Sequence, residues 1–128
     1  MTPSNTGVDK SFKKIYRGIG YYARVKLELF QSTCSLRSDI TIEENDDLFQ
    51  DWALLVRQGI MNGIHYLQRH GDPPSSGTIQ ILEIIGTVAD TTDDAMVCVG
   101  FMAVCELLDP VCVLPPLSAD RPWRFEIG

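Results

Sequence analysis

"ADTTDDAMVCVGFMAVCELLDPV", residues 89–111, changes character within a few positions. It begins acidic and rich in hydroxyls, then becomes an almost wholly apolar run that carries two cysteines and stops at Pro110. Short polar side chains ahead of an apolar helical run accept hydrogen bonds from the first backbone N–H groups, and carboxylates there meet the positive end of the helix dipole. Asp90 or Thr91 is placed to be the N-cap, with Asp93 or Asp94 in the first turn. The junction therefore reads as a capped helix start, and the proline as the stop.

Outward from this helix the pattern changes period. "SSGTIQILEIIG" (75–86) is rich in β-branched residues and reads as a strand. "VCVLPPL" (111–117) reads as a further short strand closed by Pro115 and Pro116. Before residue 75 a long helix is expected, capped by Asp46 or Asp47 and ending near His70 and Gly71. Leu48, Trp52, Leu55, Val56, Ile60, Ile64 and Leu67 carry its helical spacing. Gly59 and Gly63 each cost about 1 kcal/mol relative to alanine in a helix interior, which a close backbone contact would offset. Earlier still, "YYARVKLELF" (21–30) alternates, with Val25, Leu27 and Leu29 on one side and Arg24, Lys26 and Glu28 on the other. "DITIEEN" (39–45) is a second short strand with Ile40 and Ile42 inward. Strand, strand, helix, strand, helix, strand is the order of an α+β fold with one sheet and two packed helices. Trp52, Val56, Ile60, Met96, Val99 and Ala103 are expected to meet Val25, Leu27, Leu29, Ile79 and Ile81 in its core.

The 128 residues suffice for one domain, and 45% hydrophobic with 22% charged residues is a globular composition. No apolar run approaches the roughly 20 residues that span a bilayer, and the N-terminus lacks an apolar core of the signal-peptide kind. A cytoplasmic location is the expectation. Net charge is −6 but unevenly spread: residues 1–37 carry seven Lys/Arg against two acids, a net of +5, and the rest carry four against fifteen, a net of −11. An acidic chain lacks the general electrostatic footprint of a nucleic-acid binder, although its N-terminal part carries a local basic patch. Residues 1–16 read as a poorly ordered basic segment, 17–117 as the domain and 118–128 as a tail whose Trp123 and Phe125 are placed to fold back.

The four cysteines, Cys34, Cys98, Cys105 and Cys112, form no CxxC pair, and Cys98 and Cys105 lie two helical turns apart on one face. They read as small buried hydrophobes. His65 and His70 fit no metal-binding helix pattern and read as surface residues. No metal, cofactor or catalytic residue is assigned. The acids Glu43, Glu44, Asp46, Asp47 and Asp51 around a helix start read as a cap and a solvated face. Neither a P-loop nor a Cys–His signature occurs, so no enzyme is expected.

Taken in order, four stretches resemble domain IV of translation elongation factor G. The family's entry pattern GGRGQYGxVxIE is similar to "RGIGYYARVKLE" (17–28): Gly18, Gly20, Tyr22, Val25 and Glu28 fit, while Ile19, Tyr21 and Ala23 depart. Its first-helix pattern V-x-x-G-I-x-x-A/G is matched by Val56, Gly59, Ile60 and Gly63. Its D-S-S-E-x-A-F helix start is similar to Asp90, Thr91, Thr92, Asp93 and Ala95, and its P-V-L-L-E-P to the run from Pro110 to Pro116. The resemblance covers about residues 17 to 117.

It implies the ribosomal protein S5 domain 2-like fold: a four-stranded sheet with two helices on one face and a left-handed β-α-β crossover. In that family the Gly-rich loop and the loop before the second helix form a tip that enters the decoding centre of the ribosome. Carried over, the tip candidates are Arg17, Gly18, Gly20, Arg24, Thr87, Asp90 and Thr91. The second loop is shortened here to "IIGTVAD", and Thr87 or Val88 stands where the family has a histidine. The implied function is a non-catalytic binding or accessory module, with a ribosome or protein as partner. The alternatives are a small regulatory or immunity-type protein that keeps only the fold, and an enzyme whose site carries no known pattern.

Strand alternation adds an interface expectation. Arg24, Lys26, Glu28, Thr41, Glu43, Gln80, Leu82 and Ile84 should line the sheet face opposite the helices. Lys26, Leu82 and Ile84 are the candidate interface there, for a partner or a second copy, with a homodimer favoured slightly over a monomer.

Overall fold

Alternating side chains make the centre of the sheet. In the computed structural model, which describes residues 5–30, 40–74, 77–87, 92–118 and 125, Ile19–Phe30 is a strand, β2, that buries Ala23, Val25, Leu27 and Leu29 in turn. Asn5–Tyr16 is β1, antiparallel to β2 from Asn5↔Phe30 to Tyr16↔Ile19. Ile40–Glu44 is β3, Gln50–His70 is α1, Gly77–Ile85 is β4 and Asp93–Leu108 is α2. The sheet order is β1-β2-β4-β3, with β2 and β4 antiparallel and β3 and β4 parallel. The parallel pair is joined through α1. This is an α+β fold in which a four-stranded mixed sheet carries two helices on one face.

Every residue named above for the core lies in one hydrophobic cluster, fully buried except for Trp52, which is half-buried against it. α2 packs over β1 and β2, and α1 packs against α2. That placement explains why α2 is apolar nearly all round while α1 has a wet side with His65 and His70 exposed. The two helices meet backbone to backbone. A Cβ added at Gly100 would lie 2.5 Å from the Val56 carbonyl oxygen, and one at Gly59 would run into the Val97 carbonyl and lie 2.9 Å from the Phe101 nitrogen.

Four expectations are corrected. The N-cap position of α1 is Phe49, with no side-chain cap hydrogen bond, so neither Asp46 nor Asp47 caps that helix. Residues 5–16 are not a frayed segment; they are the edge strand β1, so the domain begins well before residue 17. Val8 and Phe12 supply its inward apolar side, while Lys10 and Lys14, at the intervening inward positions, mask the alternation. Their stems suit a sheet edge, where the charged head reaches water or a partner; Lys10 Nζ sits 3.6 Å from Glu106 of α2. Residues 111–117 form no strand beyond an isolated Leu117↔Phe125 bridge. Two prolines remove ladder donors there, and the segment lies along the helices, with the Tyr66 hydroxyl donating to the Val113 carbonyl at 2.8 Å. The cap of α2 is Thr92, whose Oγ1 accepts from the Ala95 N–H at 3.1 Å. That acceptor fills the role expected of Asp90 or Thr91, which lie outside the described residues.

The helix contact gives the first prediction. Gly59→Ala and Gly100→Ala should each lower stability by about 1–3 kcal/mol through overpacking, although helix propensity alone would raise it by about 1 kcal/mol. Denaturant midpoints decide the sign, and a stabilised variant would contradict the close approach.

Candidate functional site

At one end of the sheet the β1–β2 hairpin runs past its neighbours. β4 pairs with β2 only from Arg24 onward, so residues 19–23 of β2 have β1 alone beside them. The two strands are joined by Arg17 and Gly18, with φ of 52° and 78°. Paired positive φ values are what a I′-type two-residue hairpin turn requires, because its twist matches that of the strands. Glycine takes that backbone without strain; at Arg17 a side chain sits in the left-handed region, with the guanidinium 5.1 Å from the Tyr16 ring centre.

Beside this turn lies an open, mainly apolar cleft of about 520 Å³. Lys13, Lys14 and Ile15 come from β1, Gly18 from the turn, Gly20, Tyr21 and Tyr22 from β2, and Ile85 and Thr87 from the end of β4 and beyond. Three tip candidates, Gly18, Gly20 and Thr87, are thus brought together, with Arg17 in the adjoining turn. Arg24 is placed otherwise: on the open face, its Nε donates to Asp9 Oδ1 at 2.7 Å. The hydrogen bond from Arg24 holds the Asp9 carboxyl below its ordinary range, and Asp9 raises the guanidinium's. Asp90 and Thr91 lie outside the described residues. Sequence reasoning misses Lys13, Lys14 and Ile15, because a polar, basic N-terminal stretch reads as a tail, and Tyr21, Tyr22 and Ile85, which read only as strand residues. The two-residue Arg17–Gly18 link between two runs of strand character is the signal that could have found them.

The open face of the sheet differs from expectation at β4. Lys26 pairs with Glu83 and Leu27 with Ile81, so Leu82 is the extra residue of a β-bulge. One inserted residue reverses the faces of everything beyond it. Ile84 therefore packs against the core and Glu83 comes to the open side, where Lys26 Nζ approaches it at 3.6 Å. Leu82 and Ile84 form no shared apolar strip. Phe125 stacks on Phe101 of α2 with ring centres 4.6 Å apart, so it covers the helices and not the sheet; Trp123 lies outside the described residues.

Two of the cysteines are held in a structural setting. Cys98 and Cys105 are buried and free, and burial pushes both thiols up to about 12. Cys34 lies outside the described residues. Glu44, at the end of β3, faces Arg57 of α1 at 3.8 Å. Among the described residues no group of three or more His, Cys, Asp and Glu side chains is placed to hold a metal ion, and no helix is long and apolar enough to cross a membrane.

No family model matches the sequence, and no curated protein matches it. A crystal structure of a protein from Thermus thermophilus matches with a TM-score of 0.68 at 15% sequence identity, over 86% of this chain and 16% of that one. The likeness is one of fold. This chain spans about one-sixth of the length of that protein.

Two outcomes are expected. Thr92→Ala should cost about 0.5–2 kcal/mol of stability in thermal or denaturant melting, and an unchanged midpoint would count against the cap. Native Cys98 and Cys105 should resist a thiol reagent at pH 8 and react once the chain is unfolded. Because their pKa values are higher folded than unfolded, their contribution to stability is full below about pH 8.5. It is lost as the pH rises toward about 12. Rapid native labelling, or stability that rises across that interval, would contradict this.

Proposed function

We propose that the chain is a non-catalytic binding module related to domain IV of elongation factor G, and that it meets a ribosome or protein partner through the hairpin end of its sheet. One observation carries the reading: Gly18, Gly20 and Thr87, which the family resemblance picks out from two distant loops, line a single cleft beside Arg17. Lys13 and Lys14 add positive charge there, which suits a partner bearing phosphates or carboxylates. The cysteines Cys98 and Cys105, buried with their thiolates disfavoured, supply no nucleophile, and of the acids near α1 Asp51 lies in its first turn and Glu44 faces Arg57.

Purified ribosomes provide the test. The chain should co-sediment with them at low salt, and a Lys13→Glu, Arg17→Glu double variant should lose most of that binding while melting at the same temperature. Co-sedimentation that the double variant retains, or none by the native chain, would contradict a ribosomal contact at the hairpin. Because charges on an exposed hairpin are screened within roughly 10 Å at 0.1 M salt, binding should also fall as salt rises.

A further inference from the structure

The apolar cleft at the hairpin has a counterpart elsewhere on the same molecule. Phe49, just before α1, is 57% exposed, and its ring is held edge-on to Trp52 at 5.2 Å, a contact that fixes the ring without covering it. Asp46, Asp47 and Asp51 stand on either side of it in the chain, all exposed. This corner is an aromatic knob in an acidic collar. The hairpin presents the complement: Ile15, 76% exposed, and Gly20 give the cleft apolar surface, while Lys13 and Lys14 give it positive charge.

Shape and charge agree at both ends of this pairing. A cleft of about 520 Å³ admits a phenyl ring, and aromatic anchors seated in a pocket with a charged rim dominate typical protein contacts. The whole chain is polarised in the same sense, +5 over residues 1–37 and −11 over the remainder. Two copies therefore attract when the hairpin of one approaches the acidic part of the other. The opposite expectation, docking through the open sheet face, meets residues already paired with each other, Arg24 with Asp9 and Lys26 with Glu83.

We infer that a second copy of this chain docks at the hairpin cleft, inserting Phe49 into it while its Asp46, Asp47 and Asp51 meet the positive charge of the hairpin. The inference rests on the reading of the hairpin end as a contact surface and names a partner for it. A self-contact of this kind occupies the surface offered to any other partner, so the two associations compete.

Sedimentation velocity on the full chain tests it with two variants, Phe49→Ala and Lys13→Glu, Lys14→Glu. Phe49 is exposed, so its removal should leave the chain folded, with only its edge contact to Trp52 lost. The native chain should associate at low salt and dissociate as salt rises, and each variant alone should be monomeric. An equimolar mixture of the two should associate again, because one supplies an intact cleft and the other an intact knob. A native chain that stays monomeric at every concentration and salt overturns the proposal, as does a dimer that both variants leave intact. In the first case, binding of a synthetic peptide of residues 43–54 would assign the cleft to an acidic aromatic segment of another protein. Ribosome co-sedimentation that survives alongside a monomeric chain removes the second-copy contact alone; loss of both removes the hairpin as a contact surface.

Discussion

The close approach of α1 and α2 through Gly59 and Gly100 is the constraint on which the arrangement depends. Each of these glycines faces the other helix's backbone at a distance that no side chain would permit. Gly63 continues the seam one turn on, where a Cβ would lie 3.2 Å from the Phe101 carbonyl oxygen and collide with Val104. Because the axes come this near, Val56, Ile60, Ile64 and Leu67 of α1 reach the same cluster as Val25 and Ile79 of the sheet. One core then serves both layers. A Leu or Ile side chain fully buried in it contributes about 1.5–3 kcal/mol, and a wider helix spacing would forfeit part of that at each position.

A core of that kind leaves the hairpin end of the sheet free of structural duty. α2 packs over β1 and β2, while residues 19–23 extend the hairpin past the end of β4. There the chain places its left-handed turn, two lysines, two tyrosines and exposed Ile15 and Ile19. The open face does the reverse. Among its charges Arg24 pairs with Asp9 and Lys26 with Glu83 across strands, and Thr41 and Thr78 share a hydrogen bond of 3.0 Å. Such a face gains little from a partner, since docking would strip water from pairs already satisfied.

How much of this is legible in the residues follows from what each element has to bury. β2 alternates cleanly because one side is core and the other water, and α1 shows helical spacing and a glycine pair for the same reason. β1 hides because lysines occupy inward positions at a sheet edge, where a long side chain escapes to solvent. The bulge at Leu82 leaves no mark in an unbroken run of isoleucine and leucine, yet it moves Ile84 into the core. Prolines 115 and 116 argue against a ladder at 111–117, and the apolar run beside them masks that signal. Of the site, the glycines and Thr87 come from family resemblance, whereas the β1 residues require the hairpin register.

The central claim is that contacts concentrate at the hairpin end. Hydrogen–deuterium exchange on the full chain, with and without purified ribosomes, addresses it most directly. The account predicts slowed exchange in residues 13–22 and 85–87 when ribosomes are present, with α1 and the middle of the sheet unchanged. Protection centred on β3 and the middle of β4, with the hairpin unaffected, would contradict it.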